Sequence, residues 1–267
     1  LTDWDDSEKV DVSEMPELEQ WVLHRISILD EQIRNNCNTY EFSRMFTAIQ
    51  NFCTLELSAF YFDVRKDALY CDDIADLRRR SARTVLDQLF HCLTSWLAPI
   101  LVFTAEETWR SRFPDEDGSV HLNQFPEIPA SWRNDALDEK WKKVRAFRRV
   151  VTGALEIERR EKRIGSSLQA SPTVFVDTEY KKLLEGLPLD DICIASGLTL
   201  EEGNAPEGAF TLEDVPGVAV ISSIAEGDKC QRCWKVLEEV GKHDTYADLC
   251  GRCADVVDEM DIPMEVS

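Results

Sequence analysis

Two closely spaced pairs of cysteines near the end of the sequence constrain its folding more than any other feature. The sequence reads Cys230-Gln231-Arg232-Cys233, then sixteen residues, then Cys250-Gly251-Arg252-Cys253. Thiols two residues apart form a tight knuckle, and two knuckles can place four sulfur atoms around one tetrahedral ion. Zinc suits four thiolates, and a closed set of four leaves no position for a reactive water. The spacing therefore predicts one structural Zn²⁺ per chain, bound by Cys230, Cys233, Cys250 and Cys253.

Other interpretations of these cysteines remain open. Iron suits the same ligand set. Redox-active pairs are disfavoured, because thioredoxin-like chemistry places one pair at the start of a helix in a βαβ unit, which this end of the chain lacks. His243 lies between the pairs and could replace one thiolate, although four thiols favour a surface position for it.

So short a segment buries little apolar surface, and comparable zinc-finger sites contribute about 10–16 kcal/mol at neutral pH. We therefore expect the metal to supply most of its folding free energy.

The other cysteines and the apolar runs indicate the environment of the chain. Five isolated cysteines, an odd total of nine and no export signal favour a reducing cytosol over a disulfide scaffold. The longest apolar run, Trp96 to Phe103, is too short to cross a bilayer. We therefore expect a cytoplasmic protein without a membrane segment. The first residue is Leu1 instead of methionine, which suggests that the chain was cut from a longer one.

The spacing of apolar residues predicts a mainly α fold. Helical periodicity occupies residues 16–34, 45–60, 81–96 and 104–113, and short connections between helices indicate an antiparallel helix bundle. A basic helix follows from about Leu137 to Arg163, and Gly165 is expected to end it. Short strands are then predicted at Thr173–Val176, Ile192–Ala195 and Val218–Ile221, with a helix near 180–184. The predicted domains are the bundle (1–135), the basic helix with a small α/β subdomain (136–225) and the four-cysteine zinc domain (226–267).

The charge distribution bears on nucleic-acid binding. A formal net charge of −21 argues against a phosphate partner. However, ten of the 30 lysines and arginines lie between residues 140 and 163, where only three glutamates oppose them. This polarity is compatible with an RNA-binding helix, but also with a solvated helix whose charges bind nothing.

Cationic and aromatic residues alternate with the cysteines. Lys229, Arg232, Trp234, Lys235 and Arg252 lie in or beside the two knuckles. Unstacked RNA bases can lie on an aromatic ring while cations contact phosphates, which makes Arg232, Trp234, Lys235 and Arg252 candidate RNA contacts. The alternative is that Trp234 packs under the knuckle as its small core, and the sequence favours neither.

The sequence contains no catalytic motif that we can identify. It has no glycine-rich phosphate loop and no His-Glu-x-x-His, and its four histidines are scattered. A complete zinc enzyme would need an open metal position, which conflicts with four thiolate ligands. The residues alone predict a helix bundle with a zinc knuckle that binds a polymer.

Eight further stretches carry a resemblance to a known family. They are Met15–Trp21, Leu57–Asp63, Lys66–Tyr70, Arg80–Leu86, Ala98–Leu101, Phe103–Glu107, Ser119–Leu122 and Lys162–Ala170. With the terminal cysteines, they resemble the C-terminal anticodon-binding and zinc-binding region of bacterial-type isoleucyl-tRNA synthetases, which are class I enzymes. The coiled-coil arm typical of valyl enzymes and the barrel that often ends bacterial methionyl enzymes do not occur. Ala68 replaces an expected arginine and Arg83 an expected glutamine, either of which could alter a local RNA or packing contact.

The resemblance implies an enzyme that joins isoleucine to its tRNA through an adenylate formed from ATP. The family's ATP motifs, His-x-Gly-His and Lys-Met-Ser-Lys-Ser, are absent here, so no catalytic residue is expected and ATP belongs to a domain outside this chain. The implied partner is the anticodon stem-loop of isoleucine tRNA, without DNA or membrane, and the implied state is monomeric. By position in the matching region, Arg159, Arg163 and Ser166 are candidate RNA contacts.

A competing hypothesis comes from another functional class. A zinc-stabilised protein-interaction module without an RNA role would explain the acidic net charge more easily. Binding through phosphates should weaken steeply as salt rises. An apolar protein interface should respond much less, so salt dependence separates the two hypotheses.

Overall fold

The computed structural model of the protein describes residues 1, 3–114 and 118–260. The chain divides into two compact units, Leu1–Leu69 with Ile74–Asp138, and Tyr70–Asp73 with Glu139–Ser267. The finer division at residues 135 and 225 stays a prediction, and residues 261–267 of the predicted zinc domain lie outside the described residues. The predicted class is confirmed, because a helical part is followed by a small sheet and a four-cysteine cluster.

The first unit is a helix bundle. Its main helical segments are α1 (Glu17–Asn38), α2 (Phe42–Asn51), a π-helical segment (Phe52–Tyr61), α3 (Phe62–Cys71, whose last two residues belong to the second unit), α4 (Leu77–Leu97) and α5 (Val102–Arg112). Short 3-10 turns occur at Asp6–Glu8, Val120–Leu122 and Ala130–Trp132. Asp76 caps the N-terminus of α4, and its side chain accepts hydrogen bonds from the Arg78 and Arg79 amides.

Large aromatic side chains and one buried ion pair fill the centre of this bundle. Trp21, Tyr61 and Trp96 are almost fully buried. The Glu19 carboxylate accepts two hydrogen bonds from Arg65, at 2.6 and 2.7 Å, and a third from the Tyr61 hydroxyl at 3.1 Å. Three donors thus satisfy a charge that water does not reach.

The second unit contains most of helix α6 and two small sheets. The elements are α6 (Asp135–Arg160, which begins in the first unit), β1 (Thr173–Val176), α7 (Thr178–Leu184), α8 (Leu189–Cys193), β2 (Thr199–Glu202), β3 (Val218–Ile221), β4 (Asp228–Lys229), β5 (Val236–Leu237) and α9 (Gly251–Glu259). In the three-stranded sheet, β1 lies between β2, which is parallel to it, and β3, which is antiparallel. The β4–β5 hairpin carries the first cysteine pair.

Two local predictions are wrong. The segment 192–195, predicted as a strand, ends helix α8, and Ile194 adopts a left-handed φ of 56° directly after it. A short apolar run fits either a buried helix or a strand, and acidic Asp190 and Asp191 in the first turn favour the helix. Helix α6 ends at Arg160, three residues before the predicted end at about Arg163, and the chain turns at Lys162, which has a left-handed φ of 60°, instead of at Gly165.

Candidate metal centre and nucleic-acid interface

The first knuckle is the turn of the β4–β5 hairpin. The Cys230 amide donates to the Lys235 carbonyl, and the Trp234 amide donates to the Cys230 carbonyl, which closes the turn around Cys230 and Cys233. Gly227 precedes the hairpin with a φ of 108°, and a Cβ there would lie 2.3 Å from the Leu237 backbone. This position therefore requires glycine.

The second knuckle lies at the start of helix α9. Cys250 is the residue before the helix, and Cys253 lies in its first turn. The helix N-terminus has amides without intrahelical partners and a partial positive charge, which favours nearby sulfur atoms that would carry negative charge. The Cys250 amide lies 3.4 Å from the Cys230 sulfur, to which it donates across the two knuckles.

The four sulfur atoms have the spacing of a tetrahedral metal site. Sγ atoms of Cys230, Cys233, Cys250 and Cys253 all lie within 4.8 Å of one another, and no disulfide joins them. The Cys233 and Cys250 sulfur atoms are 3.8 Å apart. Tetrahedral bonding at about 2.3 Å per Zn–S bond separates the sulfurs by about 3.8 Å. The donor set therefore fits one tetrahedral ion.

The surroundings of the Cys233 and Cys250 thiols disfavour their ionisation. In the protein alone, burial raises the pKa of the Cys250 thiol to about 11. The Cys253 side chain and burial together raise the pKa of Cys233 to about 12. A bound cation reverses these shifts because it stabilises the thiolate form.

A small apolar core surrounds the cysteines. Val240, Leu249 and Ala254 are buried against them, and so is Cys71, which is more than 150 residues away in sequence. His243 lies outside the sulfur group: its Nδ1 accepts hydrogen bonds from two amides, and its ring stacks on Tyr246. These bonds favour the four thiols over a metal site that includes the His243 ring.

Trp234 does not form the core of the knuckle. Its side chain is 58% exposed, so the alternative that placed it under the metal is wrong. Its backbone has a left-handed φ of 67°, which is strained for a large side chain. The Lys229 ammonium lies 5.0 Å from the centre of its ring, a cation–π contact. The knuckle thus holds an exposed ring beside a cation.

The other predicted contacts of the tail have partners within the second unit. Arg232 donates to the backbone carbonyls of Tyr70 and Cys71, and its Nη1 lies 3.7 Å from the Cys253 sulfur. Arg252 forms an ion pair of 2.9 Å with the buried Asp72. Lys235 donates to Asp190 and Asp191 at 2.8 Å each and is largely buried. These cations lie in or beside the two cysteine knuckles of residues 227–256, hereafter the metal module, and each bonds to protein groups instead of facing solvent alone.

The candidates near the end of α6 are exposed. Arg159 pairs with Glu156, and Arg163 with Glu158 and Glu161, in surface ion pairs. Ser166 follows, with its amide 3.4 Å from the Gln169 side-chain oxygen. Sequence reasoning did not select Arg160 and Lys162, both of which are exposed. No ion pair or side-chain hydrogen bond joins either of them to another described residue.

Much of the remaining basic stretch is neutralised locally. Lys142 pairs with Glu139, Lys143 with Glu179, and Arg149 with Asp214. Arg148 donates to the Ile192 carbonyl. The stretch is therefore less cationic than its sequence suggests. None of the described helices is both long and apolar enough to span a membrane.

Comparisons with known proteins confirm the resemblance read from the motifs. Residues 19–174 match the family described as the anticodon-binding domain of tRNA ligase, and residues 227–256 match a zinc finger found in FPG and IleRS. The chain is 55% identical to an isoleucine–tRNA ligase of Ruegeria pomeroyi, over 95% of its own length and 26% of that relative. It is 49% identical to one of Brucella abortus (96% and 26%) and 44% to one of Bartonella henselae (97% and 27%). The chain thus spans about a quarter of these relatives.

Proposed function

We propose that this chain, which belongs to the family of anticodon-binding domains of tRNA ligases, binds the anticodon stem-loop of isoleucine tRNA. In the proposal it acts as part of an isoleucine–tRNA ligase, which forms isoleucyl-tRNA in the cytoplasm from isoleucine, ATP and tRNA. The observation that carries the proposal is the 55% identity with such a ligase along 95% of the chain. Catalysis and ATP binding belong to other parts of the ligase.

The four-thiolate site is proposed to bind one Zn²⁺ with a structural role. Cys230, Cys233, Cys250 and Cys253 would hold the ion, as the sulfur spacing supports. When bound, zinc supplies a tetrahedral cross-link and the positive charge that keeps the thiols ionised. The amide of Cys250 and the guanidinium of Arg232 donate to sulfur atoms of the set and orient it.

The metal module would contact RNA through Trp234. Its exposed ring offers a face for an unstacked anticodon base, and the adjacent Lys229 offers a cation to the phosphate of the same nucleotide. Stacking on one aromatic side chain is worth about 1–3 kcal/mol per base. The left-handed backbone of Trp234 supports this role, because strained residues persist where function requires them.

Partner type separates the predicted cationic contacts into two groups. Exposed ion pairs contribute little to stability, so Arg159 and Arg163 can exchange their glutamates for phosphate with small loss. Arg160, Lys162 and the hydroxyl of Ser166 complete this exposed surface. Breaking a fully buried pair costs about 3–5 kcal/mol. The pairs of Lys235 with Asp191 and of Arg252 with Asp72 are part-buried, so the same exchange costs more for them than for exposed pairs. We therefore assign Lys235, Arg252 and Arg232 to holding the module together.

The alternative is a protein-interaction module without an RNA role. Its support is the net charge of −21 and a group of exposed apolar side chains in the first unit, among them Phe103 at 89% exposure, Val102 and Leu122. An exposed apolar group of this kind can mark a protein interface.

A binding titration distinguishes the two functions. The zinc-loaded chain, with metal content and molecular mass measured on the same sample, is titrated with isoleucine tRNA and with a non-cognate tRNA at two salt concentrations. We expect one zinc in a monomeric chain, preference for isoleucine tRNA, and at least about a tenfold loss of affinity between about 50 and 200 mM salt. Binding without preference for isoleucine tRNA, or no RNA binding, would contradict the proposal.

A further inference from the structure

Tyr70 is an exposed aromatic residue that the proposed RNA surface does not yet include. Its side chain is 78% exposed, and it lies at the end of α3 in the segment Tyr70–Asp73, which belongs to the same compact unit as the metal module. Among the described contacts, its ring and hydroxyl have no hydrogen-bonding, ionic or ring partner.

The backbone at Tyr70 forms hydrogen bonds with Arg232, whereas the Tyr70 ring is exposed. The guanidinium of Arg232 donates through Nη2 to the Tyr70 carbonyl at 3.2 Å and through Nη1 to the Cys71 carbonyl. The same Nη1 lies 3.7 Å from the sulfur of Cys253, one of the four clustered cysteines. One planar side chain therefore joins the metal site to the backbone that carries Tyr70.

Two further contacts fix the residues after Tyr70. Cys71 is buried in the core of the metal module, and its sulfur lies 3.6 Å from the Arg232 carbonyl. The Asp72 side chain is only 4% exposed and pairs with Arg252, which lies within the second knuckle. The segment is therefore ordered by residues from both knuckles, each next to a cysteine.

Such an arrangement suits recognition of a nucleobase. A ring that projects into water from a fixed backbone loses little entropy when a base stacks on it. Tyrosine also has few side-chain torsions to immobilise. Arg232 therefore bonds the backbone of one exposed aromatic residue, Tyr70, and lies two residues before the other, Trp234.

We propose that Tyr70, in addition to Trp234, is a base-stacking residue for single-stranded RNA. In this proposal Arg232 and Arg252 are positioning residues that connect the Tyr70 backbone segment to the metal module. The proposal rests on the function proposed above, and names a further residue of its RNA surface. It also gives a physical role to Arg232 and Arg252 that does not require them to contact phosphate.

Variants of Tyr70 test the stacking contact. Affinity of the zinc-loaded chain for a fluorescent anticodon stem-loop RNA is measured by anisotropy for wild type, Tyr70→Ala, Tyr70→Phe and Tyr40→Ala. Tyr40 is the matched control, because it is 82% exposed but lies in the first unit beside Phe42. We expect Tyr70→Ala to weaken binding between roughly 5-fold and 150-fold, the range that corresponds to one stacked base. Tyr70→Phe and Tyr40→Ala should stay within about twofold of wild type, since the first keeps the ring and the second lies elsewhere.

Two measurements separate stacking from a structural effect. Hydrogen exchange across residues 70–73 should be unchanged in Tyr70→Ala, but faster in Arg232→Met, which also weakens RNA binding while zinc is retained. Photo-crosslinking of wild-type chain to RNA that carries 4-thiouridine in its anticodon loop should label Tyr70, and this result does not depend on any variant folding.

The outcomes distinguish this inference from the proposed function. If wild type does not bind the stem-loop, the proposed function fails and the inference fails with it. If wild type binds and Trp234→Ala weakens binding, but Tyr70→Ala binds like wild type and no crosslink forms at Tyr70, only the inference is overturned. If the Tyr70→Ala variant loses both RNA affinity and zinc, the photo-crosslink of the wild-type chain decides. A crosslink at Tyr70 supports the inference, and no crosslink at Tyr70 overturns it.

Discussion

Removal of Arg65 is a stringent test of the energetics of the helix bundle. Side chains of Arg65 and Glu19 are 3% and 0% exposed, and two hydrogen bonds of 2.6 and 2.7 Å join them. Arg65→Met keeps most of the aliphatic volume but leaves the Glu19 carboxylate with the Tyr61 hydroxyl as its remaining side-chain donor among the described contacts. The variant thus isolates the cost of an unpaired buried charge.

The expected loss is large relative to the stability of a domain. Breaking a buried ion pair costs about 3–5 kcal/mol, against a total of about 5–15 kcal/mol for a typical domain. With a urea dependence of about 2 kcal/mol per molar, the unfolding midpoint should fall by roughly 1.5–2.5 M. Replacing both partners, as in Glu19→Leu with Arg65→Met, removes the buried charge. That double variant should recover at least half of the loss.

Urea unfolding, followed by near-ultraviolet circular dichroism, measures these changes. Arg44→Met is the matched control, because Arg44 pairs with Glu41 in the same unit but is 74% exposed. It should cost about 1 kcal/mol or less. A urea midpoint for Arg65→Met within about 0.5 M of that of the control would contradict the claim that burial decides the cost of breaking this ion pair.

Three further predictions concern the metal and pH. Chelation should raise hydrogen exchange throughout residues 228–256 and leave the protection of α1 unchanged, because the small core of the knuckles depends on the metal; equal protection with and without chelator would contradict this. Gly227→Ala should speed zinc loss to a competing chelator, whereas Gly118→Ala, where a Cβ meets nothing within 4 Å, should not; equal rates would refute the steric argument. Burial and then Glu19 raise the pKa of Tyr61 well above 10.0. Its contribution to stability is therefore present below pH 10 and lost above it, as the unfolded state ionises first. Tyr61→Phe should flatten the fall in unfolding free energy above pH 10, and an unchanged slope would show that Tyr61 does not cause it.

Much of this architecture could be predicted because its signals are local. The Cys-x-x-Cys spacing converges on one point in the structure, since each pair closes its own knuckle. The sequence predicts strands at Thr173–Val176 and Val218–Ile221 with the bounds that the structure has, because both runs are short and rich in β-branched residues. The run at 192–195 is also apolar, but it follows the acidic residues Asp190 and Asp191, which favour a helical first turn and do not enter an apolar pattern.

The rest of the site depends on contacts that are distant in sequence. Arg232 and Tyr70 are separated by more than 160 residues, and nothing near Cys71 indicates that it packs against the metal module. The sequence likewise left open whether Trp234 is buried, because a tryptophan beside a metal knuckle is compatible with both positions. The sequence does not show which cations are exposed. In the structure Arg159 is exposed, whereas Lys235 is largely buried and forms ion pairs with Asp190 and Asp191.

The metal module is proposed to present Trp234 to a tRNA base. The most direct test is the affinity of zinc-loaded wild type, Trp234→Ala and Trp234→Phe for isoleucine tRNA, with zinc content measured for each. We expect at least about a fivefold loss of affinity for Trp234→Ala, a smaller loss for Trp234→Phe, and one zinc in all three proteins. Equal affinities with zinc retained would contradict it, because an exposed ring that contributes nothing to binding cannot be the base-stacking surface.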